Sequence, residues 1–320
     1  AVRLGMSWFI FSEGMGFVLK IEDDDDVDAA YFITAHELAH QWWAHQVIGA
    51  NVQGATVMSE SMSEYSSLKV LEEEYGSEQM RAFLKDALDR YLQGRTTERL
   101  KEKPLIFNEN QQYIHYNKGS LVLYAMSDYL GTDVFNKAMS RYVDSVAFQD
   151  APYTTSLEYL EFVKESTPDS LSYLLKDMFE TITLYSNKVK ETSFRELDDG
   201  KFEVNLQAVV SKYRTDEKGK RQFTDDLTSD TLSYQFEGDR KPTYSLPLND
   251  WIEVGVFGEK EVDGELEEVT LYLEKHRINE IKNEFTIIVD EKPVEVGIDP
   301  YNKLIDVVSD DNRLEPEERD

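Results

Sequence analysis

The residues best equipped for chemistry stand together in His36-Glu37-Leu38-Ala39-His40, followed at once by Gln41-Trp42-Trp43. On a helix, side chains four apart share one face about a turn from each other. Two imidazoles so placed suit a single Zn²⁺ ion. Glu37 follows His36 directly, so it cannot share the ligand direction of the histidines. It can, however, reach a water on the metal and act on it as a general base.

A zinc site that does chemistry needs a third protein ligand and an open fourth position. Cysteine cannot supply it, because the chain has none, and that absence also excludes disulfides and thiolate nucleophiles. Of the five histidines, His45 lies about 180° from His36 at a helical 100° per residue, and His276 falls in a region patterned as strand. A carboxylate on the following helix is therefore the best candidate. Glu60 and Glu64 are four apart and share a face, and spacing alone leaves both open. Two further residues could join them. Glu13 sits at a glycine break in the aromatic, β-branched stretch 7–19, where bent backbone can aim a side chain into a cleft. Tyr116 sits at the mouth of a helix, where a phenol can donate a hydrogen bond to a developing oxyanion.

The elements that must position these groups follow from periodicity. The acidic run Glu22-Asp23-Asp24-Asp25-Asp26-Val27-Asp28 suits the start of a helix, read over about 27–48. In that helix Trp42 and Trp43 read as core. A second helix is read over about 56–75 and a third over 79–93, the latter with Met80, Phe83, Leu84, Ala87, Leu88 and Tyr91 on one stripe. Helical patterning continues to about 181. Near Leu184-Tyr185-Ser186-Asn187 the period changes from 3.6 to 2: Phe202, Val204, Leu206 and Ala208 alternate with polar neighbours, as do Ile252, Val254 and Val256. Asp199-Gly200 and Asp263-Gly264 supply turns. The expected fold class is α+β and multidomain. A mainly helical domain over 1–186 precedes an antiparallel β-sandwich over 187–308 and an acidic, disordered tail over 309–320.

Composition narrows the partners. With 34 basic and 63 acidic residues the formal charge is −29, which repels nucleic acid and anionic lipid. No apolar run reaches the roughly 20 residues that span a bilayer. The chain starts at Ala1 inside what reads as strand, so a piece of a longer protein is expected.

In chain order, Glu13, the His36–His40 segment with its paired tryptophans, Glu60 with Tyr65 five residues later, and Tyr116-Asn117-Lys118-Gly119 together resemble the M1 family of zinc aminopeptidases, which are gluzincins built on the HExxH pattern. The resemblance implies a thermolysin-like catalytic domain and one Zn²⁺ held by His36, His40 and Glu60. It implies Glu37 as general base, Tyr116 as the transition-state tyrosine and Glu13 as the residue that binds the substrate's α-amine. It also selects Glu60 over Glu64, by the family's Glu-Gly-x-x-x-Tyr segment. Three departures stand out. Nineteen residues separate His40 from Glu60 where the family usually has eighteen. The residues around Glu13 do not spell the family's Gly-x-Met-Glu-Asn motif. The family's large N-terminal β-domain and C-terminal helical domain have no counterpart here.

The segments 41–47 and 297–303 resemble a divergent bacterial branch. There an M1-like region forms the C-terminal part of a membrane protein with ABC-transporter-permease-like segments, which implies an extracytoplasmic location and covalently fused membrane domains. The implied activity is removal of N-terminal residues from peptides with a free N-terminus. Two alternatives remain: a thermolysin-like endopeptidase, and a non-catalytic peptide-binding module of a fused transporter.

Overall fold

The structure is a computed structural model that describes residues 28–222, 233–234, 243–262 and 264–319. The chain divides into two compact units between Ile182 and Thr183, a few residues ahead of the expected boundary at 186. The break falls there because Thr183 already pairs with Arg214 as the first residue of a long strand.

The first unit is helical among the described residues. Its α-helices are α1 (Ala29–Ala39), α2 (Met62–Tyr75), α3 (Met80–Thr97), α4 (Gly119–Leu130), α5 (Thr132–Val146) and α6 (Ser156–Ser166). Two π-helical turns, Val57–Ser61 and Tyr113–Lys118, lead directly into α2 and α4. Helix α4 is nearly all apolar in sequence and buried from Gly119 to Ser127, so it forms the centre of the unit. On α3 the stripe of six apolar residues is the buried face. Asp28 caps α1 by accepting the Tyr31 N–H at 2.8 Å.

Helix α1 is shorter than its sequence pattern. It ends at Ala39, and residues 40–46 turn back on themselves: the Trp42 carbonyl accepts the N–H groups of both Gln46 and Val47, and Ala44 adopts a left-handed φ of 98°. The turn separates the two tryptophans. Trp43 is buried and donates its indole N–H to Ser66 Oγ at 3.0 Å, whereas Trp42 is 48% exposed, not core. His45 is exposed in the same turn.

The second unit is built of β1 (Thr183–Glu196), β2 (Phe202–Thr215), β3 (Arg221–Gln222), β4 (Ser233–Tyr234), β5 (Thr243–Tyr244), β6 (Asp250–Val262), β7 (Glu265–Ile278), β8 (Lys282–Val289), β9 (Glu295–Ile298), β10 (Arg313–Leu314) and β11 (Glu317–Glu318). Among the described residues β1, β2, β3, β8 and β11 form one sheet, β6, β7, β9 and β10 a second, and β4 pairs with β5. The β1–β2 hairpin turns at Asp199-Gly200, where Gly200 takes a φ of 81°. The alternation from Val204 to Ala208 turns Val204, Leu206 and Ala208 into the core.

The acidic C-terminal residues are ordered, contrary to the disordered tail that composition suggests. Arg313 and Leu314 pair with β9, and Glu317 and Glu318 add to β1 in parallel. Arg313 is the anchor. It lies 3.9 Å from the centre of the Phe257 ring, 2.6 Å from Glu295 and also against Glu268. One buried cation and open strand edges offset the repulsion that the acidic residues alone would produce.

Candidate metal centre

Helix α1 carries His36, His40 caps its C-terminal end one turn on, and their rings meet edge to face at 4.6 Å between centroids. Glu60 reaches them from the π turn ahead of α2. Its Oε2 lies 3.3 Å from His36 Nε2 and 3.5 Å from His40 Nε2. Three donors bound tetrahedrally at Zn–N and Zn–O lengths near 2.05 Å stand about 3.4 Å apart. One ligand atom from each of the three residues lies within 4.8 Å of the others, and among the described residues no other group of three histidines and carboxylates meets that condition. The donor set, two imidazoles and one carboxylate, is the set catalytic zinc takes. The residues present therefore fit the ion.

The surrounding groups support the same use. His40 Nδ1 lies 2.9 Å from the Trp43 carbonyl and 3.0 Å from Ser63 Oγ. A carbonyl only accepts, so Nδ1 carries a proton, and Nε2 is the nitrogen turned toward Glu60. Burial alone would lower the His36 pKa, but contacts with Glu60 and Glu64 outweigh it and raise it to about 9. For His40 the Glu60 contact comes first and raises the pKa against burial. Burial works on Glu60 in the opposite sense, yet the two histidines hold its carboxyl far below the usual range. The side chains thus create a field that favours positive charge between them, and metal uptake must displace the protons held there.

Glu60 and Glu64 differ in which nitrogen each one reaches. Glu60 faces the Nε2 atoms of both histidines, whereas Glu64 Oε1 lies 3.1 Å from Nδ1 of His36. Glu60 lies within the Val57–Ser61 π turn, with nineteen residues between it and His40.

Tyr116 enters from the second π turn. Its ring centroid is 5.8 Å from that of His36. Burial, then the charge of Glu60, push its pKa up, so the phenol stays protonated and able to donate. The two π turns are joined directly. Ser61 Oγ donates to the His115 carbonyl at 2.6 Å, and a Cβ added at Gly119 would meet Ser61 Oγ at 2.2 Å. Only glycine admits that approach, which ties the turn bearing Glu60 to the turn bearing Tyr116. Behind them Lys118 is fully buried over the Tyr91 ring and 3.9 Å from Glu102.

Glu37 is partly buried beside His36, and its charge acts on Tyr116. Glu13 lies outside the described residues. His115 is buried with its pKa lowered by burial to about 4, and its Nδ1 contacts Asn108 Nδ2 at 3.1 Å. His276 lies in β7, 2.7 Å from the Tyr272 hydroxyl. Ser63 and the Trp43 carbonyl are absent from the motif reading. Ser63 shares its helix with two acidic candidates, and a backbone carbonyl leaves no trace in residue type.

The sequence profile of the Peptidase family M1 domain matches residues 15–179, just over half of the chain. The chain belongs to peptidase family M1. Membership makes a zinc-dependent peptidase the coarse reading of the site. Over 129 residues the chain is 28% identical to "Putative aminopeptidase-2" of Caenorhabditis elegans, covering 39% of this chain and 7% of that protein. It is also similar to structures of an M1 zinc metallopeptidase from Deinococcus radiodurans. A mutant bound to a Tyr-Ser-Ala substrate matches at 20% identity and TM-score 0.37, covering 48% of this chain and 33% of that one. Another structure of that enzyme matches at 22% identity and TM-score 0.36, covering 48% and 34%. The chain thus spans about a third of these structures and a small part of the nematode protein. Among the described residues no helix is long and apolar enough to cross a membrane.

Proposed function

We propose that this chain is a zinc metallopeptidase that removes N-terminal residues from peptides. The observation that carries the reading is the convergence of His36 Nε2, His40 Nε2 and Glu60 Oε2 beside Tyr116 and Glu37. Zinc bound there supplies Lewis-acid polarisation of the scissile carbonyl and makes water a better nucleophile. Glu37 takes the proton of the attacking water and returns it to the leaving amine. Tyr116 donates a hydrogen bond to the carbonyl oxygen as negative charge builds on it. Glu13 pairs with the substrate's N-terminal ammonium and so limits cleavage to the first peptide bond. A thermolysin-like arrangement of the first unit, a sandwich of the two larger sheets in the second, and fusion to permease-like membrane segments on the extracytoplasmic side belong to the same reading.

The test is hydrolysis of one peptide with a free and with an acetylated N-terminus by the zinc-loaded protein within its full-length chain. Cleavage of the free form alone is expected. Equal cleavage of both favours the endopeptidase. Stoichiometric zinc with no cleavage of either favours a peptide-binding module. Tyr116→Phe is expected to lower kcat by about 10²–10³-fold, the usual cost of losing one oxyanion donor, with metal content unchanged by atomic absorption. An unaltered rate removes Tyr116 from the mechanism.

A further inference from the structure

Glu64 is a partly buried carboxylate that the mechanism above does not use. It stands on α2 one turn beyond Glu60, and its side chain is 14% exposed. A carboxylate in such a place costs free energy unless a partner offsets it. Its partner is the other side of His36. Glu64 Oε1 lies 3.1 Å from Nδ1, while Nε2 faces Glu60 Oε2 at 3.3 Å. The Glu64 oxygen is off the line of a straight N–H bond, so buried Nδ1 makes no hydrogen bond among the described residues, and Glu64 Oε1 at 3.1 Å is the acceptor that stands beside it. The neighbouring Ser63 stands at the equivalent nitrogen of His40, 3.0 Å away. Two consecutive residues of α2 therefore meet the outer nitrogens of the two histidines, and the preceding turn supplies the third ligand.

We propose that Glu64 is a positioning residue for His36. Its carboxylate accepts the Nδ1 proton, fixes the tautomer whose Nε2 lone pair points to the metal, and makes that nitrogen a stronger donor through its charge. The inference rests on His36, His40 and Glu60 being the metal ligands. It assigns to this chain a charged brace on one histidine and neutral ones, Ser63 and the Trp43 carbonyl, on the other.

The test is zinc affinity by chelator competition at fixed pH, on the wild type, Glu64→Gln, Glu64→Asp and Glu60→Ala. Cobalt-substituted spectra report the coordination number independently of activity. Glu64→Gln is expected to weaken zinc about 10–100-fold with the cobalt spectrum unchanged in kind, because outer partners of ligating histidines cost that much when lost. Glu64→Asp is expected to fall between Gln and wild type, because it keeps the charge. The Gln variant is isosteric, and a circular-dichroism melt of the zinc-free protein shows whether it folds. Affinity of Glu64→Gln within twofold of wild type overturns the proposal. So does a loss as complete as that of Glu60→Ala with an altered cobalt spectrum, which makes Glu64 a ligand. If the wild type itself takes up no zinc, the metal-centre reading fails, and the brace with it. If it takes up zinc and Glu64→Gln changes nothing, only the brace fails.

Discussion

Glu37→Gln is expected to leave zinc binding intact and to lower kcat for a free-amine peptide by about 10²–10⁴-fold or more, the range attached to a lost general base. The two side chains have the same shape, so packing beside His36 is preserved, but an amide cannot take a proton from water. Glu37 is not one of the three groups that converge at the candidate site, which is why the metal should stay. Its position one residue after His36, about 100° around α1, directs it away from the ligand face. Metal content by atomic absorption and kcat by peptide hydrolysis check both halves. Full activity with zinc in place would mean that the proton is handled elsewhere and would sink the assignment.

Glu60→Ala has the second large expected effect, on the metal itself. The carboxylate contacts the Nε2 atoms of both histidines, so its removal leaves two imidazoles and no third ligand at the convergence point. Wild-type protein at zinc 1,000-fold above its Kd is stabilised by about 4.1 kcal/mol, provided zinc binds only the folded chain. The variant is expected to lose most of that gain, read as the disappearance of the zinc-dependent rise in Tm. In zinc-free buffer the same substitution should lower the pKa of both histidines, since Glu60 raises each of them. An NMR titration of the imidazoles reports the shift. Retention of stoichiometric zinc would place the third ligand elsewhere, with Glu64 the nearest substitute.

Much of this site can be read from residue order, because its first half lies within five consecutive residues, His36 to His40. His36 and His40 share a face by helical spacing alone, and the structure brings their rings within 4.6 Å of each other. Glu37 follows from the same period. The buried stripe of α3 and the change to strand near residue 183 are equally local, since each is a repeat of apolar residues at a fixed interval. The error over α1 is of another kind. The pattern continues past Ala39, but the chain turns where Trp43 finds Ser66 on a different helix. That contact does not appear in any local period. The ordered C-terminal strands depend likewise on Arg313 meeting Phe257, Glu268 and Glu295.

By itself, then, the amino-acid order determines the two histidines, the glutamate between them, and the division into a helical and a strand-built part. All of these follow from backbone geometry that neighbouring residues share. The three-dimensional packing decides the rest. Glu60 and Glu64 are indistinguishable by helical phase, and they separate only because one carboxylate meets Nε2 and the other Nδ1 of the same ring. Tyr116 joins them because Gly119 lets its turn close against Ser61. These relations link residues more than twenty positions apart, and they arise from distances and directions between elements, which periodicity along the chain does not encode.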